Sequence, residues 1–283
     1  MRKLRDILLQ IDSYPEPTSR EAIEQASRFA AAAGGTLSAL AVEIDIRAPS
    51  NRLADFLVNL SGLAEEEEQK SHRACQAALA TFTEVARSAG VLGQVLTAKA
   101  DLYCVGDYVA ERARTRDLCI VPINDQLDGQ RSVAEAVIFG SGRPTLLFRP
   151  GAADLLSQDL ATVVLAWDGS RSAARVMADA LPLLPKAHEV RVLSVLNEKP
   201  GTHSGLGDDV VRHLQAHGVN AVADEVDAGK QPIGKVLEDY ASQYRSDLLV
   251  MGAYGRSRLR EFVLGGATEY MLHAPKVPLF LAH

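Results

Sequence analysis

The chain reads as one unit written twice, and that repeat limits its fold more than any local motif does. The first half opens on an apolar run, Ile7-Leu8-Leu9-Gln10-Ile11, that ends in Asp12-Ser13. The second opens on Thr162-Val163-Val164-Leu165-Ala166-Trp167 and ends in Asp168-Gly169-Ser170. A segment with apolar residues at three- and four-residue steps follows in each half, over 19–33 and 172–184, the pattern of an amphipathic helix. Strand-like runs come next at 36–42 and 190–196, then at 94–98 and 221–226. Gly106-Asp107-Tyr108-Val109-Ala110 parallels Ile233-Gly234-Lys235-Val236-Leu237, and Arg116-Asp117-Leu118-Cys119-Ile120-Val121 parallels Ser246-Asp247-Leu248-Leu249-Val250-Met251. Each half closes on a strand led by a proline, Pro144 or Pro278. The join falls in Arg149-Pro150-Gly151-Ala152-Ala153, where proline and glycine interrupt helix and strand alike. The domains are therefore read as 1–150 and 151–283.

Continuous apolar strands alternating with amphipathic helices require a parallel sheet covered on both faces. With right-handed crossovers each half becomes a five-stranded, doubly wound, Rossmann-like α/β domain. At 283 residues the chain is long enough for each half to bury its own core. The halves are expected to superpose about a pseudo-twofold axis, each with a sheet of its own. Their last strands, 145–148 and 279–281, could pair within one molecule and so cover two open edges. Ligands of such sheets sit beyond the carboxyl ends of the strands, where Asp168 and the residues after Met251 fall.

Those residues form a glycine pattern: Gly252-Ala253-Tyr254-Gly255, then Gly265-Gly266-Ala267-Thr268. Between them, Leu259, Phe262 and Val263 are at helical spacing, and a second short helical pattern starts at Thr268. Glycine permits close backbone approach, and a helix N-terminus offers free N–H groups to an anion. Strand, glycine turn and helix start together suit a phosphate. Gly-x2-Gly-x9-Gly followed by Thr268 resembles the ATP-binding signature of the universal stress protein family. With the repeat, the resemblance spans nearly the whole chain and implies a tandem universal stress protein, of the adenine nucleotide alpha hydrolase-like fold.

The resemblance implies a nucleotide site in the second half. Gly252, Gly255, Gly265, Gly266 and Thr268 would hold the phosphates, and Asp168 and the backbone at Val195 the nucleoside end. ATP would arrive with Mg²⁺. The family usually carries Ser or Thr where Gly266 stands, so one phosphate-binding hydroxyl is missing. Arg256 and Arg258 could partly replace it or could be solvated surface. Asp168 could equally be a turn former, since Asp-Gly-Ser is ordinary turn chemistry. In the first half Pro122 stands opposite Gly252 and Asp125 opposite Gly255. Gly140-Ser141-Gly142-Arg143 there leads into the last strand without a helix start, so the first copy is expected to have lost its triphosphate cradle. Asp12, the counterpart of Asp168, then has a doubtful ligand role. That copy would be a structural partner or a site for another ligand.

Composition narrows the partners. Acidic residues outnumber basic ones by 36 to 30, giving a net charge of −6, and aromatics make up 5%, so nucleic acid is a poor partner. No apolar run approaches a membrane span, and the N-terminus lacks a signal-peptide core. Cys75, Cys104 and Cys119 are too few and too scattered for a disulfide framework and read as small buried side chains in a reducing cytoplasm. His213 and His217, four apart, read as an exposed helix face rather than a metal pair, and Glu65–Glu68 as the solvated start of a helix. No nucleophile elbow, P-loop or nucleophile–base pair is visible. A cytoplasmic ATP-binding regulatory protein, with at most slow hydrolysis, leads. A non-nucleotide interaction module, or a weak ATPase with a small-molecule site in the first half, are the alternatives. A regulatory protein partner and, beyond the internal pairing, a homodimer complete the expected partners.

Overall fold

The computed structural model describes residues 3–46, 60–124, 128–151, 160–197, 203–253, 266–273 and 275–283. The first half runs β1 (Asp6–Ile11), α1 (Arg20–Ala33), β2 (Thr36–Asp45), α2 (Leu60–Ser88), β3 (Leu92–Asp101), α3 (Val105–Ala113), β4 (Leu118–Pro122), α4 (Asp128–Gly140) and β5 (Thr145–Phe148). The second runs β6 (Leu160–Ala166), α5 (Arg171–Ala180), β7 (Ala187–Leu196), α6 (Asp208–Ala216), β8 (Ala221–Asp227), α7 (Ile233–Gln243), β9 (Leu248–Gly252), α8 (Gly266–His273) and β10 (Leu279–Ala282).

Strand order is β3-β2-β1-β4-β5-β10-β9-β6-β7-β8. Within each half all pairings are parallel. The two last strands meet antiparallel, Leu146 opposite Phe280 and Thr145 opposite Leu281. The five-stranded units and the internal pairing of last strands are as expected. The expectation of two separate sheets is corrected: because those last strands complete each other's hydrogen bonding, one ten-stranded sheet runs through both halves.

The repeat extends to individual hydrogen bonds. Asp117 Oδ2 accepts from the N–H groups of Arg5 and Asp6 at 3.0 and 3.1 Å, and Asp247 Oδ2 from those of Ala161 and Thr162 at 2.7 and 3.0 Å. Both carboxylates tie the entry of a half's first strand to the strand beside it. Gly106 and Gly234 also share a role. A Cβ would stand 2.8 Å from Ala136 at the first and 2.5 Å from Tyr270 at the second, so each glycine lets its helix close on the next.

Strand alternation divides the core between two faces. Ile7, Leu9, Leu118, Val163, Leu165 and Leu248 point to the face covered by α1, α2, α5 and α6. Leu8, Cys119, Val164 and Leu249 point to the face covered by α3, α4, α7 and α8. Equivalent helices of the two halves lie on the same face, so the pseudo-twofold axis runs normal to the sheet. Both core layers continue across β5 and β10.

Four local expectations change. α5 stops at Ala180, and the remaining residues of 172–184 form turns before a short 3-10 segment, Leu184–Lys186. Glu65–Glu68 lie inside α2, which already exists at Leu60; Glu68 is held there by Lys99 and the Ile46 N–H. Cys75 and Cys119 are buried, but Cys104 is exposed, at the end of the short 3-10 segment Leu102–Cys104 that leads into α3. The first half does have a helix before its last strand. It is α4, which ends at Gly140, five residues before β5 starts. Among the described residues no helix is long and apolar enough to cross a membrane.

Candidate functional site

The second half brings three of the expected residues to the carboxyl ends of adjacent strands. β6 lies between β9 and β7, pairing Leu165 with Val250 and Ala166 with Leu193. Asp168 follows β6, Gly252 ends β9, and Val195 sits near the end of β7, 5% exposed. Asp168 is half-buried, and its Oδ1 accepts from the Ser170 N–H at 2.9 Å. Gly169, at φ +72°, makes the sharp turn between them. Ser170 then caps α5, accepting from the Ala173 N–H at 3.1 Å. The turn-forming role of Asp168 is thus real, and it sets the carboxylate against a helix N-terminus.

Gly252 has a packing reason for being glycine. A Cβ there would stand 2.6 Å from the Ala173 nitrogen and 2.6 Å from the Ser172 carbonyl carbon. The first turn of α5 therefore rests directly on the end of β9. Asp168 and Gly252 flank the same helix start.

Gly266 opens α8 and is exposed; among the described residues a Cβ there would meet nothing within 4 Å, and its φ lies outside the left-handed region. Neither a described neighbour nor the backbone conformation demands glycine at that position. Thr268, two residues on, is 3% exposed on the inner side of the helix. Gly255, Arg256 and Gly265, with Arg258, Leu259, Phe262 and Val263, lie outside the described residues, as does Asp125 of the first half. No cluster of three His, Cys, Asp or Glu side chains that could hold a metal occurs among the described residues. His213 and His217 are exposed, their rings in edge contact at 4.7 Å.

The first half is built differently at the same place. Pro122 ends β4 as Gly252 ends β9, and the next N–H donates to the last strand in both: Ile123 to Phe148 O at 2.9 Å, Ala253 to Ala282 O at 2.8 Å. Asp12, 8% exposed, does not turn to a helix N-terminus as Asp168 does. The loop from β1 to α1 is longer than that from β6 to α5, and the carboxylate points inward. Gln10 Nε2 donates to its Oδ1 at 2.6 Å and Gln130 Nε2 to its Oδ2 at 2.7 Å. Burial pushes the Asp12 carboxyl up to about 6, against the downward pull of the two amides. Gln10 and Gln130 were not singled out from the sequence. A glutamine inside the otherwise apolar run Ile7–Ile11 was the available sign of a buried polar contact.

Comparison with known proteins decides the family of the second half. Residues 160–283 match the universal stress protein family. The C-terminal half is a universal stress protein domain. The whole chain also resembles solved structures along nearly its full length. A universal stress protein from Archaeoglobus fulgidus DSM 4304 superposes with a TM-score of 0.70 at 16% identity, over 99% of this chain and 97% of that one. A protein of unknown function from Pseudomonas aeruginosa PAO1 gives 0.53 at 13% identity, over 97% and 92%. These likenesses establish the fold, including the first half, which lies outside the family match. No curated protein matches the sequence.

Proposed function

We propose that this chain is a cytoplasmic stress-adaptation protein that binds ATP in its universal stress protein domain and acts by binding rather than by catalysis. The observation that carries the reading is the placement of Asp168 and Gly252 on either side of the α5 N-terminus, at the ends of adjacent parallel strands. A carboxylate there accepts ribose hydroxyls or an amino group, and the helix start favours an anion. The backbone at Val195 would meet the base. Gly252, Gly255, Gly265, Gly266 and Thr268, with Arg256, would hold the phosphates. Mg²⁺ would be held chiefly by phosphate oxygens.

Titration calorimetry with ATP and Mg²⁺ tests the proposal, and one site per chain is expected. Asp168→Ala should weaken binding by roughly ten- to a hundredfold, the worth of a hydrogen bond to a charged group. Absence of binding, or two equivalent sites per chain, refutes the reading.

A further inference from the structure

The winding of the first half places its ligand crevice at the carboxyl ends of β1, β2 and β4, because the chain leaves β1 and β4 toward opposite faces. In this half the described polar groups at that place mostly pair with one another, although Gln10 Oε1 is left without a partner. Asp12 holds the two glutamine amides described above, and its own N–H donates to Thr18 Oγ1 at 2.8 Å. Gln130 Oε1 accepts from the Asn124 N–H, just beyond β4, at 2.6 Å. On β2, the Val42 carbonyl accepts from Ser13 Oγ at 2.7 Å and the Ile44 N–H donates to Ser71 Oγ at 3.0 Å. The two hydroxyls are themselves 2.7 Å apart. Gln10, Ser13, Ser71 and Gln130 are all at most 5% exposed.

Strand register allows comparison with the other half position by position. Ile7 faces Leu118 where Val163 faces Leu248, so Gln10, Asp12 and Ser13 correspond to Ala166, Asp168 and Gly169. Gln10 faces Leu40 where Ala166 faces Leu193, so Val42 corresponds to Val195. The carboxylate is common to both halves. The groups that engage it and the β2 backbone are not: Ala166 and Gly169 have no polar side chain, and in the register of the last strands Gln130 corresponds to Leu264, an apolar residue outside the described ones.

We infer that the N-terminal crevice is occupied by the chain's own side chains, a built-in surrogate for the polar edge of a ligand, and binds no small molecule there. Two amides meet the carboxylate and two hydroxyls meet the strand backbone, the contacts a polar ligand would otherwise make. The first half is then a permanently filled copy, and the alternative of a second small-molecule site at this position falls away. The nucleotide reading of the other half enters only through the choice of probe.

The test uses the full chain with nitrogen-15 in its glutamine side chains. Water exchange of the Gln10 and Gln130 carboxamide protons should be about tenfold or more slower than that of exposed Gln231, as for groups closed off from solvent. Their signals should stay unshifted in millimolar adenosine or ATP. Gln130→Ala, which leaves the sheet intact, should speed exchange at Gln10 to near the Gln231 rate. Exchange at Gln10 and Gln130 as fast as at Gln231, saturable shifts with either probe, or no change at Gln10 in the variant overturns the inference. ATP-dependent shifts of the Val195 and Gly252 amides in parallel spectra report on the C-terminal site independently.

Discussion

The substitution Asp12→Asn should stabilise the protein at neutral pH, and by an amount that depends on pH. The carboxyl is buried, and its pKa rises from an unfolded value of 3.8 to about 6. A raised carboxyl binds protons more tightly folded than unfolded, so its contribution to stability is complete below about pH 4. That contribution drains away as pH rises through 6 and stays lost above it. At about 1.4 kcal/mol per pH unit, the buried charge costs on the order of 3 kcal/mol at pH 7. Asparagine removes the charge and keeps the shape. Its Oδ1 would accept from Gln130, and its amide could donate to Gln10 Oε1, which has no partner in the wild type, once the Gln10 amide turns over. Urea unfolding of both proteins from pH 4 to 8 measures the difference. Because every other titrating group is common to the two chains, the variant-minus-wild-type profile isolates Asp12. We expect no difference near pH 4, rising to as much as about 3 kcal/mol in favour of the variant above pH 7. A variant equally or less stable at pH 7.5, or a difference that does not change with pH, refutes the reasoning.

Other substitutions probe the C-terminal site and the core. Gly266→Ser should tighten ATP binding about two- to tenfold, the worth of one neutral hydrogen bond, because no described residue crowds the position and its φ is ordinary; calorimetry showing unchanged or weaker binding would count against it. Gly252→Ala should cost about 1–3 kcal/mol in urea unfolding, since its Cβ would press on the α5 backbone, whereas a neutral result would deny that close approach. A thiol reagent should modify Cys104 rapidly in the native protein and leave Cys75 and Cys119 untouched until unfolding; burial also pushes the Cys119 thiol up to about 12. Fast labelling of a second thiol would contradict the packing of β4 or α2.

The fold was legible because its determinants are periodic. The strand runs around Leu8, Val121, Val164 and Val250 and the helical spacing after Ser19 survive in the structure almost residue for residue. The pairing of Asp117 with Asp247, drawn from sequence, turned out to be a shared pair of hydrogen bonds. Helix ends were less legible, since Ala180 and Leu60 carry no strong stop or start signal. The single sheet was partly visible: the apolar last strands announced a pairing, but not that it would fuse the halves. At the site, Asp168 and Gly252 were placed by their position after strands. That Gly252 is set by contact with Ser172 and Ala173 was hidden, because the contact joins distant segments. The network around Asp12 was hidden for the same reason: Gln130 is 118 residues away from the carboxylate it binds.

The antiparallel junction of β5 and β10 also gives the molecule a direction. Strands of the two halves run opposite ways in one sheet, so their carboxyl ends emerge at opposite poles. One pole is the closed end, sealed by Gln10 and Gln130 over Asp12; the other carries Asp168, Gly252 and the start of α8. A nucleotide bound as proposed above would therefore sit at one pole of a body whose two ends are chemically unequal. A symmetric pair of open sites would lack that polarity.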